Sequence, residues 1–102
     1  MLDYSIVNDS SGRLYAIYIH EDEQTGVSRV SASHQTQPGD NQTWTENEFL
    51  VNEGQQILNP KRVQTTNFNG VIQVVVTDSS YGFWYTDNST GEFAAWSKVT
   101  QS

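Results

Sequence analysis

The sequence predicts an all-β fold built from two four-stranded antiparallel meanders. Three observations carry this. Apolar residues recur at every second position over several short stretches, which is the strand period and not the helical one. Breaks rich in Asn, Asp, Ser and Gly punctuate those stretches. The stretches fall into two groups of four on either side of one long unpatterned connection, Asn52 to Pro60.

The first stretch, Tyr4 to Asn8, ends in the turn Asn8-Asp9-Ser10-Ser11-Gly12. Leu14 to Ile19 follows, dense in aromatic and β-branched residues and therefore a central strand. Gly26 to Ser33 and Gln42 to Leu50 complete the first group, separated by Gln37-Pro38-Gly39-Asp40-Asn41. In the second group, Arg62 to Thr66 leads through Asn67-Phe68-Asn69-Gly70 into Val71 to Val76, the second central strand. Asp78-Ser79-Ser80-Tyr81 and Asn88-Ser89-Thr90-Gly91 then bracket Gly82 to Thr86, and Glu92 to Val99 closes the chain. Short Asn, Asp and Gly residues tolerate positive φ, so each break reads as a hairpin turn. The expected organisation is one domain of two units, 1–51 and 59–102.

The two groups read as copies. Ser11-Gly12 and the strand after it correspond to Asn69-Gly70 and its strand, Thr25-Gly26-Val27 to Tyr81-Gly82-Phe83, and Trp44 to Trp96, in the same order. A four-stranded meander of about 50 residues has the size of one β-propeller blade, and propellers close with about 4 to 8 blades. Two blades leave sheet faces uncovered, so a propeller here requires homo-oligomerisation: six blades as a trimer or four as a dimer. The alternative is a monomeric β-sandwich, with the two quartets packed face to face. The apolar character of both faces of Val71 to Val76 favours the propeller, whose inner strands are covered on both sides.

Composition removes several functions. Five basic residues stand against twelve acidic ones, a formal charge of −7, which repels nucleic acid and anionic membrane surfaces alike. The absence of cysteine excludes disulfides and thiolate zinc sites. The N-terminal residues show no basic segment leading into an apolar run, and no stretch approaches the roughly 18 apolar residues of a membrane span, so neither a signal peptide nor a span is expected. No Gly-x-Ser-x-Gly elbow or phosphate loop is present, and the protein is not expected to be an enzyme. His20 and His34 have no partner at metal-ligand spacing, and Glu21-Asp22-Glu23 with Asp40 matches no recognised calcium loop, so no metal or cofactor is expected.

The second unit, from Asn69-Gly70-Val71-Ile72 through Tyr81-Gly82-Phe83-Trp84-Tyr85 to Phe93-Ala94-Ala95-Trp96, resembles a blade of the bacterial and fungal β-propeller lectins. Those blades repeat a Gly-led aliphatic strand, a short turn, a Trp/Tyr strand and a closing Trp. The first unit is a looser match, keeping Gly12, Gly26 and Trp44 but lacking a Trp at the place of Trp84. The resemblance implies sugars such as fucose or galactose held between adjacent blades, and rings completed by trimerising two-blade chains. The Arg and Glu that grip fucose in such proteins are missing: their places hold Ala16 and Arg29 in the first unit, and Gln73 or Val74 and Tyr85 in the second.

A pyranose offers an apolar C–H face to an aromatic ring and a rim of hydroxyls to hydrogen-bonding groups. The candidate binding residues are therefore Trp84, Tyr85, Trp96 and Tyr81, with Asp87, Arg29 and Gln73 as polar partners. Neighbours on a strand alternate, so Trp84 and Tyr85 point to opposite faces, and one of them should be exposed. The expected partners are glycans and further copies of the chain. A protein-interaction or scaffold domain, with the same aromatics serving as core or partner surface, is the alternative.

Overall fold

A computed structural model describes residues 2–26, 28–45, 48–49, 59–91, 93–94 and 96–99. Among them the fold is all-β, with no helix and two antiparallel sheets. Sheet I contains β1 (Asp3–Asn8), β2 (Leu14–Glu21), β3 (Ser28–His34) and the short β4 (Glu48–Phe49). Sheet II contains β5 (Pro60–Phe68), β6 (Val71–Asp78), β7 (Phe83–Asp87) and β8 (Ser97–Val99). Each sheet is a simple meander in chain order. Of the expected strand at Gln42 to Leu50, the structure describes only a bridge between Gln35 and Trp44 and the β4 pairing, and most of the long connection before Pro60 lies outside the described residues.

Asx chemistry makes the turns. Asp9 Oδ1 accepts hydrogen bonds from the backbone N–H groups of Ser11 and Arg13, Asp22 Oδ1 from those of Gln24 and Thr25, and Asp78 Oδ1 from those of Ser80 and Gly82. These side chains satisfy donors that the ladder leaves free at each hairpin end.

Residues directly opposite in a ladder share a face, so the registers assign every side chain. One face of sheet I carries Ser5, Val7, Tyr15, Ile17, Ile19, Val30, Ala32 and His34. One face of sheet II carries Val63, Thr65, Asn67, Ile72, Val74, Val76, Trp84 and Thr86. These two faces meet. Val7, Ile17, Ile19, Val30 and Ala32 form a single core with Val63, Ile72, Val74, Val76 and Trp96. The first strands of the two sheets are stitched together: Ser5 and Thr65 share a hydroxyl hydrogen bond of 2.6 Å, the Val63 N–H donates to Asp3 Oδ2 at 2.9 Å, and Asn67 Nδ2 donates to the carbonyl of Asn8. On the opposite faces, among the described residues, Ser31 of sheet I is fully buried, while Tyr4 and Ile6 of sheet I and Phe68 and Phe83 of sheet II are exposed. Sheet I turns Tyr4, Ile6, Ala16, Tyr18, His20 and Arg29 outward, and sheet II turns Phe68, Val71, Gln73, Val75, Phe83, Tyr85 and Asp87 outward.

The same hydrogen bonds recur in both sheets. The Leu14 N–H donates to Gln35 Oε1 and the Gln35 N–H to the Leu14 carbonyl; the Ile72 N–H donates to Asn88 Oδ1 and the Asn88 N–H to the Ile72 carbonyl. Ser33 Oγ donates to the Thr45 carbonyl as Thr86 Oγ1 does to that of Ala94. The Thr45 N–H donates to the His34 carbonyl as the Ala94 N–H does to that of Asp87. Thr45 thus stands where Ala94 stands, and the counterpart of Trp44 is Phe93, not the Trp96 that sequence order paired with it. With these anchors, the packed face of sheet I corresponds to the open face of sheet II, and the open face of sheet I to the packed face of sheet II. Unlike faces meet, as in head-to-tail stacking.

Candidate binding site

On the open face of sheet II, β6 and β7 bring Gln73, Tyr85 and Asp87 together. Gln73 lies directly opposite Asp87, and Val75 opposite Tyr85, so these side chains rise from one surface. They form a chain of hydrogen bonds. Thr66 Oγ1 donates to Gln73 Oε1 at 3.1 Å, Gln73 Nε2 donates to the Tyr85 hydroxyl at 3.2 Å, and that hydroxyl donates to Asp87 Oδ2 at 2.7 Å. Ser89 Oγ completes the array by donating to Asp87 Oδ1 at 2.8 Å.

The electrostatics follow from these contacts. The hydrogen bond from Tyr85 stabilises the Asp87 carboxylate and, with those from Ser89, holds its pKa below 3.8. The same carboxylate holds the Tyr85 proton in place and raises the phenol above 10.0. Across the neutral range the pair is therefore a carboxylate and an intact hydroxyl. One oxygen of Asp87 serves Tyr85 and the other serves Ser89, and each has lone-pair capacity left for a ligand hydroxyl. Apolar surface surrounds this polar array: Val71 and Val75 are half-buried, Phe83 is exposed, and Phe68 is 63% exposed.

The other expected site residues are placed elsewhere. Trp84 lies on the packed face, half-buried against the core; its indole N–H donates to Asp78 Oδ2 at 3.0 Å, and Lys98 Nζ sits 5.6 Å from the ring centroid. Trp96 is 3% exposed and belongs to the core, so its ring offers no face to a ligand, and its expected binding role does not fit this placement. Tyr81 occupies the β6–β7 turn at a φ of 63° and is 84% exposed, at the end of the hairpin remote from Gln73 and Asp87. Arg29 lies in sheet I, opposite His20 on that sheet's open face. Trp84 and Tyr85 do face opposite sides, but both are half-buried, so the expected contrast in exposure is absent.

Sequence reasoning left out Thr66 and Ser89, whose hydroxyls extend the array at its two ends, and Asp78, which it read only as a turn residue. Their signals were positional: Thr66 is the β5 residue opposite Gln73, and Ser89 follows Asp87 at Asx-turn spacing. A second aromatic group lies between the sheets. Tyr15 packs edge-on against His34 at 4.9 Å between centroids, and against Phe93 of the second unit at 6.3 Å. Among the described residues, no three His, Asp or Glu side chains converge as a metal site. No protein-family model matches the chain, and no curated protein matches it.

Proposed function

We propose that this chain is a carbohydrate-binding protein whose two sheets are blades of a β-propeller completed by homo-oligomerisation. The observation that carries the sugar reading is the Thr66–Gln73–Tyr85–Asp87 array, set on an open face amid apolar side chains. Such a surface pairs hydrogen-bonding groups for sugar hydroxyls with apolar area for a ring's C–H face. Asp87 has no second carboxylate beside it among the described residues of that face, and its lowered pKa makes it a poor proton donor.

The pairing of unlike faces supports the ring. Head-to-tail contacts leave one face of each kind unused at the two ends, and such contacts either close into a ring or run on as a filament. In a monomeric sandwich the outer faces meet water and are ordinarily polar. Here they present Tyr4 and Ile6 on one side and Phe68 and Phe83 on the other, all exposed. Those apolar surfaces fit burial against a neighbouring copy. The resemblance to propeller lectins favours three chains and six blades.

Light scattering and a glycan array test the two halves of the proposal separately. A trimer of 11.5 kDa chains weighs about 35 kDa, and Ile6→Lys, which sets a charge on an open face, should reduce it to the single chain without loss of β-structure. Binding of at least one neutral glycan, lost on Gln73→Ala with Tyr85→Phe, is the expected functional result. Silence across the array refutes the lectin reading, and a monomer at all working concentrations refutes the ring.

A further inference from the structure

We infer that Asn69 is a site of self-modification, at which the side-chain amide is lost through a cyclic imide formed with the Gly70 nitrogen, and that Asn67 sets the rate by latching that nitrogen to sheet I. The inference is independent of the sugar and ring readings.

The chemistry needs only the chain and water. The backbone nitrogen that follows an asparagine, once it has lost its proton, attacks Cγ of the side chain; the new C–N bond closes an imide, and the side-chain nitrogen leaves as ammonia. Water then opens the imide. Cleavage at the side-chain carbonyl gives aspartate, and cleavage at the backbone carbonyl gives isoaspartate, whose main chain runs through Cβ and Cγ and is one carbon longer. A side chain on the attacking residue crowds this closure, and glycine has none. Of the eight asparagines, Asn69 alone precedes a glycine; Asn59 precedes Pro60, which has no N–H, and the others precede residues with side chains.

Asn69 and Gly70 form the turn between β5 and β6, with φ of 52° and 85°, both positive as in a type I′ hairpin. Asn69 is exposed, so water reaches its amide. The attacking nitrogen, in contrast, is held. The Gly70 N–H donates to Asn67 Oδ1 at 2.9 Å, and Nδ2 of the same carboxamide donates to the Asn8 carbonyl in sheet I. A hydrogen-bonded N–H ionises only when its bond opens, the rule that governs amide hydrogen exchange. Asn67 thus fastens sheet II to sheet I with one end and withholds the nucleophile with the other. When that latch opens, the Gly70 nitrogen is released and the imide can form.

The products do not fit the closed arrangement. A Cβ built at Gly70 would lie 2.9 Å from Ser10 Cβ of sheet I, so the turn has no slack on that side. The added carbon of isoaspartate lengthens a two-residue turn whose length fixes the pairing of Phe68 with Val71. Each conversion therefore turns a transient opening of this junction into a lasting one, and adds a negative charge to a chain already at −7.

Incubation of the purified full chain at neutral pH and physiological temperature tests this. Ion exchange reads the charge gained, and fragment-ion mass spectrometry of the tryptic peptide 63–98 assigns it among Asn67, Asn69 and Asn88. A synthetic peptide from Thr65 to Gln73 gives the unrestrained rate. Wild type should convert at Asn69 about tenfold more slowly than the peptide, the factor that one hydrogen bond supplies, and Asn67→Ala should recover most of the difference. Thr65→Val is the control: it removes the hydroxyl bond to Ser5 across the same junction, leaves both bonds of Asn67 and should keep the wild-type rate. The converted fraction should melt about 5 °C or more below the unconverted chain. If Asn67→Ala does not fold, hydrogen exchange of wild type replaces it, with the Gly70 N–H expected to exchange about tenfold more slowly than in the peptide. Equal conversion in wild type and peptide, no acceleration by Asn67→Ala, unprotected exchange at Gly70, or a Thr65→Val chain as fast as Asn67→Ala overturns the latch. A converted fraction that melts with the unconverted one overturns the account of the products.

Discussion

Asp78 is the residue on which the second hairpin turns, and Asp78→Asn isolates its charge. Oδ1 accepts the Ser80 N–H at 2.9 Å and the Gly82 N–H at 2.8 Å, while Oδ2 accepts the Trp84 indole N–H at 3.0 Å. An Asn can keep the first two with its carbonyl oxygen. Its NH₂ group then faces the indole N–H, donor against donor, so one charge-assisted hydrogen bond is lost and two become neutral. Bonds to a charged group contribute about 1.5–3 kcal/mol and neutral ones about 1, so even at the low end of that range the variant should lose about 2.5 kcal/mol at pH 7. For a domain of this size that is a fall of about 10–20 °C in Tm, read by circular dichroism at one fixed protein concentration because self-association would make Tm concentration-dependent. The pH dependence gives the sign. The indole hydrogen bond leads the effects that hold Asp78 below its ordinary 3.8, so its stabilisation is fully present above about pH 4 and is lost as pH falls through the lower folded-state value. The gap between wild type and variant should therefore be constant from pH 7 to 5 and close in stronger acid. A variant melting within about 2 °C of wild type at pH 7 would refute the assignment of stability to this carboxylate.

Two further outcomes follow from the packing. Gly70 has a φ of 85°, and a Cβ built there would lie 2.9 Å from Ser10 Cβ in the other unit, so Gly70→Ala should cost about 1–3 kcal/mol in urea unfolding by combining backbone strain with a clash between units. Trp96 fills the core at 3% exposure, so Trp96→Ala should remove about 3–5 kcal/mol and flatten the thermal transition, whereas a ligand-contacting Trp would leave it unchanged.

The strands and turns were legible because they rest on local chemistry. The β-branched run Val71 to Val76 and the Asn69-Gly70 turn place β6 and its hairpin without reference to anything distant. The faces were not legible to the same degree, because they depend on register, and turn lengths differ between the units. Pairing Trp44 with Trp96 by order of appearance ignored that the β-bridge of Trp44 to Gln35 lies at the start of its loop, while Trp96 falls after the Ala94 bond that matches Thr45. Gln35 and Asn88 are chemically related amides doing the same work, yet nothing local in Ser33-His34-Gln35-Thr36 announces a side chain that will bond Leu14. Trp84, Tyr85 and Trp96 looked alike as aromatic candidates for the same reason: only the ladder separates the packed side of β7 from the open one.

The positions at which the two units differ indicate why the chain needs both. Their strand-anchoring hydrogen bonds are shared, so selection on the sheet alone would leave the corresponding faces alike. Instead Tyr15 and His34 correspond to Gln73 and Asp87, and the buried Ala32 corresponds to Tyr85. Every one of these exchanges puts a hydrogen-bonding side chain where its counterpart packs against an aromatic or lies in the core. Polar groups in those places would be costly if sealed inside a single chain, since a buried donor or acceptor without a partner costs about 1–3 kcal/mol. Gln73, Tyr85 and Asp87 offset that cost through the hydrogen bonds they share, and the lone-pair capacity left on Asp87 is what water or a ligand can meet on that face.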